Sequence, residues 1–306
     1  MLRSFKRANM KNEQKHFGPV WFIPGDNGGR YPFCHSMYIE GLGVLIDPAS
    51  DRKRLTELKE APGVKTVWLT HWHEDHLMHL DLFDDLPLCI SERDAPPISD
   101  LGLFLDAYGM EDPDERRYWE DILKNNFNFR PRKPARFLKG GETISIEGTD
   151  VDIISTPGHT PGHLAFFFRE PGVLLMGDYD LASFGPWYGD VESSIEDTIS
   201  SVKMLKNIHA STWITGHETG LFEQEPGDLW ERYLDVITIR ENKLIDLLKE
   251  PRTLEEIVGA WIIYGKPREP KAFYEFGERA HMKKHLERLM EQGHVTLDGN
   301  RYLLNR

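Results

Sequence analysis

Short apolar runs punctuated by glycine and proline fill the first two thirds of the chain. Between Trp21 and Ala49 the runs WFIP, HSMYIEG and GVLIDPA predict a meander of strands, the last two parted by Gly41 and Gly43. LKEAPGVKTVWLTH predicts a helix end, a turn at Pro62-Gly63 and a buried strand over VKTVWLT. Residues 91 to 135 differ in kind. After Pro96-Pro97, LGLFLDAYGM and ERRYWEDILKNNFNF are aromatic-rich and helical in period, as expected of an inserted cap or pocket wall. Strand alternation returns in ARFLKGGETISIEGTDVDIISTPGH, HLAFFFRE and GVLLMGD, with hairpins punctuated by Gly, Glu-Gly and Pro-Gly. A helix over roughly DVESSIEDTISSVKMLKNI and a short strand, STWITGH, follow.

After about Glu225 the helical period takes over. DLWERYLDVITIRENKLIDLLKE predicts a long helix ended by Pro251, and TLEE, Thr253 to Glu256, is a capping box that opens another. EPKAFYEFGERAHMKKHLERLMEQG predicts a third, closed at Gly293, and HVTLDGNRYLL a hairpin turned at Asp298-Gly299. Three helices and a hairpin are the order of a winged helix. In the third helix Met282, Leu286, Leu289 and Met290 share one face; His281, Lys284, His285 and Arg288 share another, expected to be solvated, with nucleic-acid reading as the alternative.

Composition narrows the classes. With 306 residues and 40% apolar content the chain is long enough for a real core. The formal net charge of -13 argues against a chain-wide nucleic-acid surface. From Pro251 onward ten basic residues face eight acidic ones, whereas the rest carries 27 against 42, so any such role would be local. The two cysteines, Cys34 and Cys89, lie far apart, which fits a reducing compartment. No stretch approaches the ~20 apolar residues of a membrane helix. The start, MLRSFKRANMKNEQKHFG, is basic without an apolar region behind it. A cytoplasmic protein with a frayed N-terminus is expected.

The chemistry concentrates at THWHEDHL, residues 70 to 77, where a buried strand stops. His71 and His73 are two apart and can point the same way; Asp75 and His76, opening a helix, face a neighbouring point. Two adjacent metals are the economical solution, and they require further ligands past later strands. His159 in STPGHTPGH, Asp178 in VLLMGDYD and His217 in TWITGHETG supply them, with Asp178 the natural bridge. Glu74, Leu77, His79 and His163 read as packing or supporting residues. Phe184, Trp187 and Tyr188 in ASFGPWYGD are candidate pocket lining.

The set His71-x-His73-x-Asp75-His76, then His159, Asp178 and His217, resembles that of the metallo-β-lactamase superfamily of hydrolases, over roughly Phe17 to Gln224. The resemblance implies an α+β fold, a four-layer αββα sandwich over residues 17–225 with the helical insertion at about 91–135, followed by a helical linker and winged-helix-like domain over 226–306. It also implies that His71, His73 and His159 hold one divalent ion and Asp75, His76 and His217 a second, with Asp178 shared. Zinc comes first, with iron and manganese as alternatives. Asp47, in GVLIDPA, matches a strand-end Asp that would accept a ring N–H from a ligating His.

The lactam-cleaving enzymes of the best-known zinc class carry Cys where this chain has Asp178, so the set looks instead like the glyoxalase-II-like, lactonase-like and RNase-like branches. Two ions can share a water, lower its pKa and present hydroxide. Asp75 or a second water would pass a proton to the leaving group, and Tyr179 or Tyr188 would stabilise an oxyanion. Hydrolysis of a small thioester, lactone or ester is the first expectation. Single-strand RNA cleavage is the second, and a non-catalytic nucleic-acid-binding sensor the third. A homodimer is compatible with the sequence, and no membrane partner is expected.

Overall fold

The computed structural model describes residues 13–146 and 149–305. Most of the expected frayed terminus and the Glu147-Gly148 turn lie outside the described residues. The first strand begins within the segment expected to fray. β1 (Lys15–Phe17) pairs with β2 (Val20–Ile23), and β3 (Ser36–Ile39) and β4 (Val44–Ile46) continue the meander. After α1 (Arg52–Leu58), β5 (Thr66–Trp68) joins β4 in parallel; past α2 (Glu74–Leu77), β6 (Leu88–Ser91) joins β5.

The insertion follows as α3 (Ala95–Ser99), α4 (Leu101–Ala107) and α5 (Pro113–Asn125), before β7 (Arg136–Leu138) closes a seven-stranded sheet. The second sheet takes β8 (Thr143–Ile146), β9 (Thr149–Ser155), β10 (Leu164–Phe168) and β11 (Val173–Leu175). After α6 (Ile195–Lys206), β12 (Thr212–Ile214) runs parallel to β11, and β13 (Leu221–Phe222) forms the edge.

The faces of these strands explain the layering. In β4, Val44 and Ile46 point to the core between the sheets while Leu45 points outward under the helices. In β11, Val173 and Leu175 join that inner core and Leu174 meets Val202 and Leu205 of α6. Strands buried on both faces read as continuous apolar runs rather than as alternation. Each fully buried Val, Leu or Phe contributes roughly 1.5–3 kcal/mol. The result is a metallo-β-lactamase fold, two facing sheets with helices outside both.

The C-terminal part consists of α7 (Leu229–Leu247), α8 (Leu254–Val258), α9 (Lys271–Glu291) and the hairpin β14 (Val295–Asp298) and β15 (Arg301–Leu304). Thr253 and Glu256 form the expected capping box. The hairpin turns one residue later than expected, because Asp298 pairs with Arg301 and leaves Gly299-Asn300 as the tip. Met282, Leu286 and Leu289 pack with Leu244, Ile257 and Val295. The opposite face of α9 is not solvated. His281 and His285 are fully buried, Lys284 donates to the Val191 carbonyl, and Arg288 donates to Glu196 and Glu241. These side chains of α9 are engaged by the loop after β11, by α6 and by α7 of the same chain.

Candidate metal centre

The catalytic-looking side chains sit where strands end on one rim of the sandwich. β4 leads to Asp47, β5 to His71, β9 to His159, β11 to Asp178 and β12 to His217. His73 is the N-cap of α2, and Asp75 and His76 lie in its first turn. Asp47 has φ 50, an uncommon conformation for a non-glycine residue. Its carboxylate accepts from the Thr70 amide at 2.9 Å and the Thr70 hydroxyl at 2.8 Å, and faces His76 Nδ1 at 3.0 Å.

Each imidazole has one nitrogen engaged and the other free. His159 Nδ1 faces the Trp187 carbonyl at 3.1 Å, and His217 Nδ1 the carbonyls of Gly29 and Phe33 at 2.8 and 3.0 Å, so both carry their proton there. His76 Nδ1 faces Asp47 and His73 Nε2 faces Asp190 Oδ2 at 2.8 Å. The Thr70 hydroxyl gives its proton to Asp47 and so accepts from His71 Nδ1 at 2.9 Å. Burial pushes the His71 imidazole well below its ordinary range, leaving it neutral.

In their neutral forms the remaining nitrogens present lone pairs to one another; without a cation, and against the lowering effect of burial, the neighbouring carboxylates push His73 up to about 9 and His76 and His217 well above the ordinary range. His71 Nε2 lies 3.1 Å from both His73 Nδ1 and His159 Nε2. His76 Nε2 and Asp178 Oδ1 are buried 2.8 Å apart with no hydrogen-bond partner, and His217 Nε2 lies 3.3 Å from Asp75 Oδ2 and 3.4 Å from Asp178 Oδ2. Lone pairs converging in a buried site repel unless a cation lies among them, and neutral imidazole with carboxylate suits divalent ions. Among the described residues three groups have donor atoms within 4.8 Å of one another: His71, His73, His159 and Asp178; Asp75, His76 and His217; and Asp178, Asp180 and His217, which links the first two. The donor set suits two divalent metals.

Supporting residues complete the rim. His163, expected to be structural, accepts the Asp178 amide at 3.2 Å, and a Cβ on Gly177 would come within 2.4 Å of its ring. Glu74 accepts from the hydroxyls of Tyr31 and Tyr108. Asp190 and Asp180, whose carboxylate accepts the His217 amide at 2.8 Å, are functional positions the sequence reading passed over, although both stand in quoted motifs, WYGD and MGDYD.

The aromatic pocket expectation is corrected. The Tyr179 hydroxyl is buried against the Thr156 and Pro157 carbonyls, and that of Tyr188 against His285 and Arg240, so neither is free for an oxyanion. Phe184 lies under the Arg240 guanidinium and Trp187 against His281. Tyr179, Tyr188 and Trp187 pack in the seam with the C-terminal helices, and Phe184, 40% exposed, stands at its edge. A cavity of about 240 Å³ lies beside Trp72 and Asp190, the chain neighbour and the ring partner of His73, and is lined by none of the seven donors. Its other walls are Pro96, Leu103 and Ala107 of the insertion and Val191.

The fold and this donor set define a two-sheet sandwich with a metal-binding rim. The chain belongs to the metallo-beta-lactamase superfamily, whose family model matches residues 30–217. It is similar to a probable metallo-hydrolase of Streptococcus pyogenes, 30% identical over 170 residues, 52% of this chain and 66% of that one. It is also similar to an atrochrysone carboxyl ACP thioesterase of Aspergillus fumigatus, 23% identical over 253 residues, 79% of this chain and 49% of that one. The chain thus spans about half to two thirds of these curated relatives. Among solved structures, a metallo-beta-lactamase family protein of Thermus thermophilus matches with a TM-score of 0.70 and 25% identity, covering 94% of this chain and 99% of the other.

Proposed function

We propose that the chain is a two-metal hydrolase of small acyl substrates, thioesters first, with lactones and related esters next. The observation that carries this reading is the convergence of five imidazole lone pairs and two carboxylates, each ring held from behind by an acceptor. The thioester preference draws on the similarity to the Aspergillus fumigatus thioesterase and on a cavity walled by the insertion. A cytoplasmic setting belongs to the same reading, supported by the free cysteines Cys34 and Cys89.

His71, His73 and His159 would hold one ion and Asp75, His76 and His217 the other, with Asp178 reaching both; zinc is the first assignment from the donor types. When bound, such ions lower the pKa of a water toward ~7 and polarise the oxygen of the group under attack. The chain does the rest. Asp47, Asp190 and the three backbone carbonyls fix the imidazole tautomers. Asp75 is assigned proton transfer to the leaving sulfur or oxygen, and the insertion encloses the acyl group beside Trp72. The RNA-cleaving and sensor readings lose support, because the basic face of α9 is spent on intramolecular contacts.

The test is metal analysis followed by panels of acyl thioesters, lactones and single-stranded RNA, with Asp178→Asn as control. Thioester turnover lost in Asp178→Asn is expected. Cleavage of RNA with no acyl turnover would overturn the assignment.

A further inference from the structure

The two halves of the donor set take their orienting partners from different parts of the chain. In the half formed by Asp75, His76 and His217, the atoms that hold the rings belong to the sandwich, Asp47 for His76 and the Gly29 and Phe33 carbonyls for His217, and the C-terminal helices touch this half at one remove, through Phe273 against Tyr31 and the Tyr233 hydroxyl on the Asp178 carbonyl. In the half formed by His71, His73 and His159, two of the three imidazoles are held by one loop. Asp190 Oδ2 accepts from His73 and the Trp187 carbonyl from His159. The loop also ties these two holders together, since Trp187 Nε1 donates to Asp190 Oδ1 at 3.0 Å.

The C-terminal helices grip this same loop along its length. Arg240 of α7, 2% exposed, donates to the Phe184 carbonyl at 2.6 Å and the Pro186 carbonyl at 3.0 Å. His281 of α9 stands edge-on to the Trp187 ring with centroids 4.5 Å apart. Lys284 donates to the Val191 carbonyl at 2.5 Å. At Gly189 the helix comes so close that a Cβ would lie 2.9 Å from that of Ala280.

We propose that the C-terminal helices govern one metal position, that of His71, His73 and His159, by holding Trp187 and Asp190 as positioning residues, and leave the other position to the sandwich. This rests on the two-metal reading above. The physical basis is the outer acceptor: an imidazole that loses it is free to turn and becomes a weaker base, and such losses typically cost about 10–100-fold in metal affinity. The C-terminal part is then a brace for half of the centre.

Zinc titration of the metal-free full chain against a chromophoric chelator resolves the two positions as two steps. Asp190→Asn and Arg240→Met each weaken one step by about 10–100-fold and leave the other within about twofold. His159→Gln marks the affected step as the same one, and His217→Gln marks the other. Equal weakening of both steps by the loop variants, or no change in either, overturns the inference. A wild-type chain that binds fewer than two ions removes the two-metal reading itself, an outcome distinct from loss of the asymmetry. Circular dichroism reports whether Arg240→Met folds. If it does not, Asp190→Asn and Lys284→Met, at the edge of the same contact, decide by the same criterion.

Discussion

The Tyr188 hydroxyl lies 2.9 Å from Nε2 of His285, joining the loop after the metal centre to the last long helix. Both ends of this pair are anchored by charge. Arg240 donates to the hydroxyl at 3.1 Å, and Glu241 stands 3.3 Å from His285 Nδ1. Tyr188→Phe leaves two buried polar groups without that partner and is expected to cost about 1–3 kcal/mol of unfolding free energy. The check is the urea midpoint at unchanged slope.

Deleting residues 251–306 would uncover Trp187 and Tyr188 and remove the contacts of His281 and Lys284 with the loop. The expected product is an insoluble or non-cooperatively unfolding chain. Sedimentation and thermal melting of the truncated protein decide this; a soluble, sharply melting fragment would show that the sandwich stands without its brace.

Metal removal should be felt through Asp178, which lies within reach of both clusters. Free metal at 100 times its dissociation constant stabilises the fold by about 2.7 kcal/mol per site, so chelation is expected to lower the melting temperature. In Asp178→Ala most of that metal-dependent shift disappears. Melting curves with and without added zinc measure it.

Asp94 gives a pH dependence beside the donor set, since its partner Thr160 follows His159 in the chain and His73 and Asp190 act on its charge. It is fully buried, accepts from the Thr160 hydroxyl at 2.5 Å and the Gly162 amide at 2.7 Å, and burial pushes its carboxyl up to about 7. A carboxyl raised on folding favours the native state when protonated. Its contribution is complete below about pH 4 and is lost as pH rises through 7, a change of roughly 4 kcal/mol. Asp94→Asn, which mimics the protonated form, should flatten this fall. Urea unfolding of both proteins between pH 5 and pH 8, in chelator, compares them.

The cavity predicts a chain-length effect. Leu103, 45% exposed at the cavity wall, can be enlarged without disturbing the core. If Leu103→Trp displaces two methylenes of a bound acyl chain, KM rises about tenfold for long thioesters, from ~0.8 kcal/mol per methylene. Short thioesters should be unaffected. Steady-state kinetics over an acyl series tests it.

The layered fold and the seven converging residues were legible because each ligand follows a strand that turn residues delimit, as at Pro157-Gly158, Gly177 and Gly216. Of their outer partners Asp47, which faces His76, was legible, and the others were not. Trp187, Gly29 and Phe33 act through backbone carbonyls, which every residue possesses, so no side-chain pattern marks them. Asp190 was hidden differently, since its meaning depends on meeting a histidine 117 positions earlier. The aromatic run before it was read as pocket lining because the helix it packs against lies some ninety residues further on. β6, four residues between Pro87 and Glu92, was too short to carry a period of its own.

The grip of α9 on the loop at Trp187 also fixes an order of events during synthesis. A chain that has emerged as far as His217 already possesses the whole donor set and the loop that holds His73 and His159, yet α9, which packs on that loop at Trp187, is still untranslated. On the two-metal reading, the position of Asp75, His76 and His217 would have its surroundings first, and that of His71, His73 and His159 only once α9 has been made and has docked.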